Sequence, residues 1–198
     1  MSELVAAGSL REFFRELLGE AAQRLSLSLH EFTEFYVVNL LSEFATSERL
    51  FTQELDGRKD HEPLALLYTR AMNQEREEKV RTLRRLGDVS LYKAGFFKGS
   101  LERSIVGPKY YIQMGGAAYG QVAQLSPGSS FSNVYAELAE KFGGLVSVLE
   151  EISARSLAAN GPSGVLRVYE SWVRSGDDKL EQVLVDAGLV VKKDGMPN

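Results

Sequence analysis

Residues 9–25, SLREFFRELLGEAAQRL, set the fold class. Leu10, Phe13, Phe14, Leu17, Leu18, Ala21, Ala22 and Leu25 recur at i, i+3, i+4 and i+7, the period of an α-helix with one apolar face. The other face holds Arg11, Arg15 and Arg24 against Glu12, Glu16 and Glu20. A helix lying on an anionic membrane would be rich in Lys and Arg there, so this one is expected to face a protein core. Ser9 and Glu12 have the spacing of a capping box, which predicts a helix start at that point.

The same period continues outward along the chain. Ser28 and Glu31 repeat the capping box, and Phe32 to Phe44 follows. Phe35–Leu41 is apolar except for Asn39, which predicts burial over most of that helix's circumference. Asp56-Gly57 marks a turn. Pro63 suits the first turn of a helix, and Leu64, Leu67, Tyr68, Ala71, Met72, Val80, Leu83 and Leu86 give it a single stripe that Gly87 can end. A short helix is expected around Asp88–Phe97. Gly107-Pro108 opens another, to about Leu125, and Ser126-Pro127-Gly128 breaks it. Ser132 caps the next, which keeps its period to about Ser156. After Asn160-Gly161-Pro162, an αα-hairpin is expected from Val165–Ser175 and Asp177–Ala187. Val165, Leu166, Tyr169, Trp172 and Val173 are its first apolar stripe, and Gly176 and Gly188 its stops. The plain role of this hairpin is to close the core of its own chain; docking on a partner or swapping between subunits is the alternative.

No alternating run long enough for a strand appears, and no period of 20–50 residues repeats. The expectation is an all-α fold, one domain over 1–198 of about eight helices around a buried Gly/Ala-rich helix, with frayed ends at 1–8 and 192–198. The composition agrees. With 198 residues, 44% apolar and 25% charged, the chain is too apolar for extended disorder. By area scaling it should bury about 70% of its unfolded surface, so it needs no staple.

Composition also removes chemistry. There is no cysteine, which excludes disulfides, thiolate zinc sites, iron–sulfur clusters and a cysteine nucleophile. The two histidines, His30 and His61, are not preceded at three residues by glutamate, so the paired Glu-x-x-His of a carboxylate-bridged di-iron bundle is absent. His30 and Glu34 share a helix face at metal-ligand spacing, but a surface pair is the plainer reading; no metal and no cofactor is expected. There is no Gly-x-Ser-x-Gly elbow, Walker A loop or dinucleotide glycine fingerprint. The formal charge is −4, made of four arginines against eight glutamates over 1–50 and a mildly basic 51–100. Arg81, Arg84 and Arg85 could make a phosphate-binding stripe, but Glu75–Lys79 and Glu77–Arg81 read as a salt-paired solvent face. No segment is basic enough for nucleic-acid binding, and the longest uncharged stretch, Tyr110 to Ala136, is too polar to span a membrane. With no export signal at the N-terminus, a cytoplasmic location is expected.

Residues 88–120 stand out, with six of the nineteen aromatics and six of the eighteen glycines. Tyr92, Phe96, Tyr110, Tyr111, Met114 and Tyr119 could line a ligand pocket there, with Arg103 and Lys109 holding an anionic group near a helix N-terminus at Gly107-Pro108. A flat ligand could lie against Gly116 and Gly120, one turn apart. The plainer account is that the aromatics fill space around a central helix whose glycines let a neighbour approach closely.

Two functions from different classes follow. One is a non-enzymatic interaction or regulatory protein that associates with itself or with another protein, and it requires a contiguous exposed apolar patch of roughly several hundred Å². The other is a helical small-molecule binder or enzyme, which requires a cavity of roughly 300 Å³ or more near Met114–Gly120. The missing motifs favour the first.

Overall fold

The structure, a computed structural model, describes residues 2–51, 63–129 and 131–189. His61, the Asp56-Gly57 turn and residues 192–198 lie outside the described residues. Among the described residues the secondary structure is entirely helical: α1 (Ser2–Arg24), α2 (Glu31–Phe51), α3 (Leu64–Met72), α4 (Arg76–Phe96), α5 (Lys98–Leu101), α6 (Pro108–Leu125), α7 (Ser132–Glu140), α8 (Phe142–Ala158), α9 (Pro162–Ser175) and α10 (Asp178–Asp186). None of these helices is long and apolar enough to cross a membrane.

Helices α4 and α6 are central. α4 packs along α6 and α8, while α7 lies on α6, α3 on α4, and α1 on α2 and α8. Their inward residues, among them Leu18, Leu41, Leu83, Leu91, Leu138 and Leu149, make one continuous core. Helices α9 and α10 pack on each other and on α8, and close a second small core of Ala154, Val168, Trp172, Val183 and Leu184. A charged chain ties the hairpin to the bundle: Arg24 of α1 bonds the buried carboxylate of Glu151, which also takes Arg155 Nε at 2.9 Å, and Arg155 reaches Asp186 of α10 at 2.8 Å.

Several boundaries differ from the sequence expectation. The first helix starts at Ser2, so Ser9 lies inside it and segment 2–8 is helical. The second starts at Glu31 without using Ser28 as its cap. The His30 N–H donates instead to both oxygens of Glu137 at 3.1 Å, and the Thr33 hydroxyl donates to Glu137 Oε2 at 2.5 Å. A carboxylate from α7 thus does the work of a local capping box. The expected helix from Pro63 to Gly87 is two helices broken at Asn73–Glu75, and the second runs through Gly87 to Phe96. Arg76, at the start of α4, reaches back to the α6 C-terminus and donates to Leu125 O at 2.6 and 3.0 Å. Ser132 does not cap α7; its hydroxyl donates to Ala123 O at 3.1 Å. The expected helix 132–156 bends at Lys141, just before Gly143-Gly144, where helical propensity is lowest. Pro108, Gly161, Gly176 and the Asp177 cap, whose side chain accepts from Lys179 N, lie where the sequence puts them.

Glycine in α4 and α6 serves close approach. A Cβ on Gly87 would sit 2.5 Å from the Tyr119 ring, and one on Gly115 would sit 2.2 Å from the Phe142 ring and 2.8 Å from Ser90 Cβ. At Gly116 and Gly120 a Cβ would meet neighbours no nearer than 3.7 Å, an ordinary contact. The tight crossing therefore depends on Gly87 and Gly115 and not on the Gly116/Gly120 pair that the sequence spacing suggests.

Candidate functional site

The bundle's main polar cluster lies where α2, α4, α6 and α7 meet. The Tyr36 and Tyr119 hydroxyls both donate to Asp88 Oδ1, at 2.5 and 2.7 Å. Tyr135 sets its ring edge against Tyr36, with centroids 5.5 Å apart, and Arg84 stands one turn before Asp88. Burial pushes the Asp88 carboxyl above the usual carboxylate range, although the two hydroxyls and the Arg84 charge pull it back. Burial and the facing carboxylate raise Tyr36 and Tyr119 far above the ordinary phenol value, so both stay neutral donors. Tyr135 is also raised by burial. This arrangement joins three helices, α2, α4 and α6, through one acceptor oxygen, with Tyr135 of α7 packed against it.

A surface cleft of about 450 Å³ lies between the end of α4, α5, α8 and the α9–α10 hairpin. Phe96, Phe97, Lys98, Arg103, Arg167 and Arg174 are among its walls. Lys98 is held by Glu150 at 3.2 Å and Asp177 at 3.6 Å. Partial burial would lower its pKa, but Glu150, Asp177 and Glu102 outweigh this and raise it. Arg103, Arg167 and Arg174 form no ion pair among the described residues, and Glu102 and Glu170 share the rim with them.

Of the eight residues expected to line a pocket, the structure brings Phe96 and Arg103 to this cleft and spreads the rest. Tyr92 is buried beneath it, stacked on Phe44 and Phe96 with centroids 4.4 and 4.9 Å away. Tyr119 belongs to the Asp88 cluster. Tyr110 accepts a hydrogen bond from the Ala65 N–H at 2.8 Å and so satisfies the α3 N-terminus. Tyr111 lies under the Lys93 ammonium, 5.9 Å from its ring centroid, and burial lowers the pKa of that lysine. Met114 packs on the core, and Lys109 is exposed on the first turn of α6. Around Gly115–Gly120 the face of α6 turned to α7 and α8 is filled by Phe142 and Ala139, which leaves no room there for a flat ligand. Among the described residues no three His, Asp or Glu side chains converge as a metal-ligand set; His30 stacks on Phe32.

Sequence periodicity misses the division of α9 into two faces. Its apolar residues, Val165, Leu166, Val168, Tyr169, Trp172 and Val173, form one stripe about 160° wide. Val168 and Trp172 turn inward and are almost fully covered, and Val165 packs beside them. Leu166, Tyr169 and Val173, at i, i+3 and i+7, stand outward with 56%, 39% and 44% of their surface exposed. Glu170 flanks this stripe, and Arg174 and Arg167 lie beyond it toward the cleft. Comparison of the chain with known protein families, curated proteins and solved structures finds no match.

Proposed function

We propose that the protein is a non-enzymatic interaction protein that self-associates through the outer face of α9. The observation that carries this reading is the exposed stripe of Leu166, Tyr169 and Val173 on a helix whose other side is already packed. An isolated exposed apolar side chain means nothing, but three in helical register on one face form a docking ridge. Each is already half covered, so completing its burial would contribute on the order of 1 kcal/mol. The small-molecule reading has less support, because only Phe96 and Arg103 of its eight residues share a cleft.

Sedimentation velocity over a wide concentration range tests the reading. The wild-type chain is expected to rise above its 21.9 kDa mass with concentration, and the Leu166→Asp/Val173→Asp variant to stay at that mass. A wild-type chain that remains monomeric throughout, or a variant that associates equally well, would overturn it.

A further inference from the structure

We infer that the cleft between α5, α8 and the α9–α10 hairpin binds an amphipathic organic anion: a flat apolar body carrying one carboxylate, sulfonate or phosphate group. The cleft lies on the far side of Glu170 from Leu166, Tyr169 and Val173, so this site is independent of the self-association reading. Its volume of about 450 Å³ is within the ordinary range for small organic ligands. The apolar contact comes from Phe97, at the junction of α4 and α5 and 38% exposed. Its ring is set edge-on to buried Tyr92, with centroids 5.7 Å apart, and Phe96 and Val168 line the cleft beside it. An aromatic ring already fixed by the packing beneath it offers apolar surface at little cost in side-chain entropy.

The walls carry as many carboxylates as cations, but the carboxylates are not equivalent. Glu150 is bonded by Lys98 at 3.2 Å and by Lys179 at 3.5 Å, and Asp177 by Lys98 at 3.6 Å. Two ammoniums thus match two carboxylates. Arg103, Arg167 and Arg174 are left against Glu102 and Glu170, and pair with neither among the described residues. Glu102 adds to the negative field around Lys98, and Glu170 stands on the outer rim. The surplus of one positive charge matches one anionic group. Arg167 and Arg174 are one heptad apart, so both lie on the same side of α9, about 10 Å apart along its axis. Ser171 is between them and accepts from Arg174 Nη2 at 3.3 Å. Arg103 comes from the other wall, just after α5. A guanidinium offers paired N–H donors that fit the two oxygens of a carboxylate or phosphate, and a bare inorganic ion would leave the phenylalanine wall unused.

The probe is anilinonaphthalene sulfonate, an aromatic anion whose emission rises on leaving water, titrated into the dilute full-length chain. Trp172, the only tryptophan, lies on α9 beside the cleft-lining Ser171 and serves as the energy donor. Saturable binding at one site per chain is expected, with loss of Trp172 emission. Arg167→Gln/Arg174→Gln should weaken it about tenfold, and Arg103→Gln should weaken it in the same direction. The uncharged analogue, anilinonaphthalene, should bind wild type and both arginine variants alike, and Phe97→Ala should weaken both probes. The substituted arginines are exposed, so urea midpoints should not move. Leu166→Ser/Val173→Ser should bind the sulfonate as wild type does. Equal affinity of wild type and the arginine variants for the sulfonate would overturn the site, as would binding that leaves Trp172 emission unchanged or no saturable binding at all. Displacement of the probe by inorganic phosphate at matched ionic strength would overturn the assignment to an amphipathic ligand. Loss of binding in the Leu166→Ser/Val173→Ser variant would place the probe on the outer stripe and overturn the cleft. A wild-type chain that stays monomeric would remove the self-association reading and leave this site standing.

Discussion

Asp88 ties three helices of the bundle together through a single carboxylate oxygen. Two tyrosine hydroxyls from different helices end on its Oδ1, and its carboxyl is held above the usual range chiefly by burial. The native state therefore binds this proton more tightly than the unfolded chain does. The contribution of Asp88 to stability is fully present below the ordinary carboxylate range and is lost as pH rises through the raised native value. In Asp88→Asn the amide oxygen can still accept both hydroxyls, but nothing titrates. Chemical denaturation of wild type and variant from about pH 3 to about pH 7 should show the stability difference moving steadily in favour of the variant. A difference that stays flat with pH would contradict the burial account. Glu137 provides the opposite case. Its slight burial is outweighed by bonds from Lys141, Thr33 and the His30 N–H, so its carboxyl lies low and its contribution fades as pH falls. Neither role is fully legible in the sequence: the partners of Asp88 lie on other helices, and Glu137, although paired with Lys141 four residues on, also takes Thr33 and the His30 N–H from remote sequence. Tyr119 attracts notice in the sequence as an aromatic beside glycines, and its position in the fold turns it into a buried hydrogen-bond donor.

At the scale of single helices, local signals decide where elements end and tertiary contacts decide how they continue. Pro108 at the start of α6, the left-handed Gly176 after α9 and the Asp177 cap act through residues a few positions away, so the sequence displays them. The break at Asn73–Glu75 and the bend at Lys141 interrupt unbroken apolar periods, and their anchors, Arg76 on Leu125 O and Lys141 on Ser28 O, are remote in sequence. The glycines of α4 and α6 separate in the same way. Helical spacing singles out Gly116 and Gly120, while the crossing depends on Gly87 and Gly115. Gly115→Ala should lower stability by about 1–3 kcal/mol, because Phe142 and Ser90 already occupy the space its methyl would need. Gly120→Ala should be neutral or raise stability by up to about 1 kcal/mol, since alanine is the better helix former and its nearest neighbour would be 3.8 Å away. Urea midpoints of the two variants check this pair, and equal shifts would contradict the assignment.

At the scale of the whole molecule, the two cores explain why one face of the hairpin is left over. Helices α9 and α10 satisfy Trp172, Val168, Val183 and Leu184 among themselves and against Ala154 on α8. Among the described residues the outer side chains of α9 stay exposed, and Arg103, Arg167 and Arg174 stand along the cleft beside α5. The modest total charge of −4 conceals this geography: the first quarter is rich in glutamate, while Arg103, Arg167 and Arg174 gather along the cleft. The helical class is readable from periodicity throughout the chain. The division of the α9 stripe into a covered and an exposed flank is not, because it depends on how far α8 and α10 reach across that stripe. Hydrogen exchange on the wild-type chain, compared between dilute and concentrated solution, tests the central claim most directly. Self-association through α9 predicts slower exchange at high concentration over 165–174, with α1 unchanged. Exchange within α9 that is identical at both concentrations would contradict it.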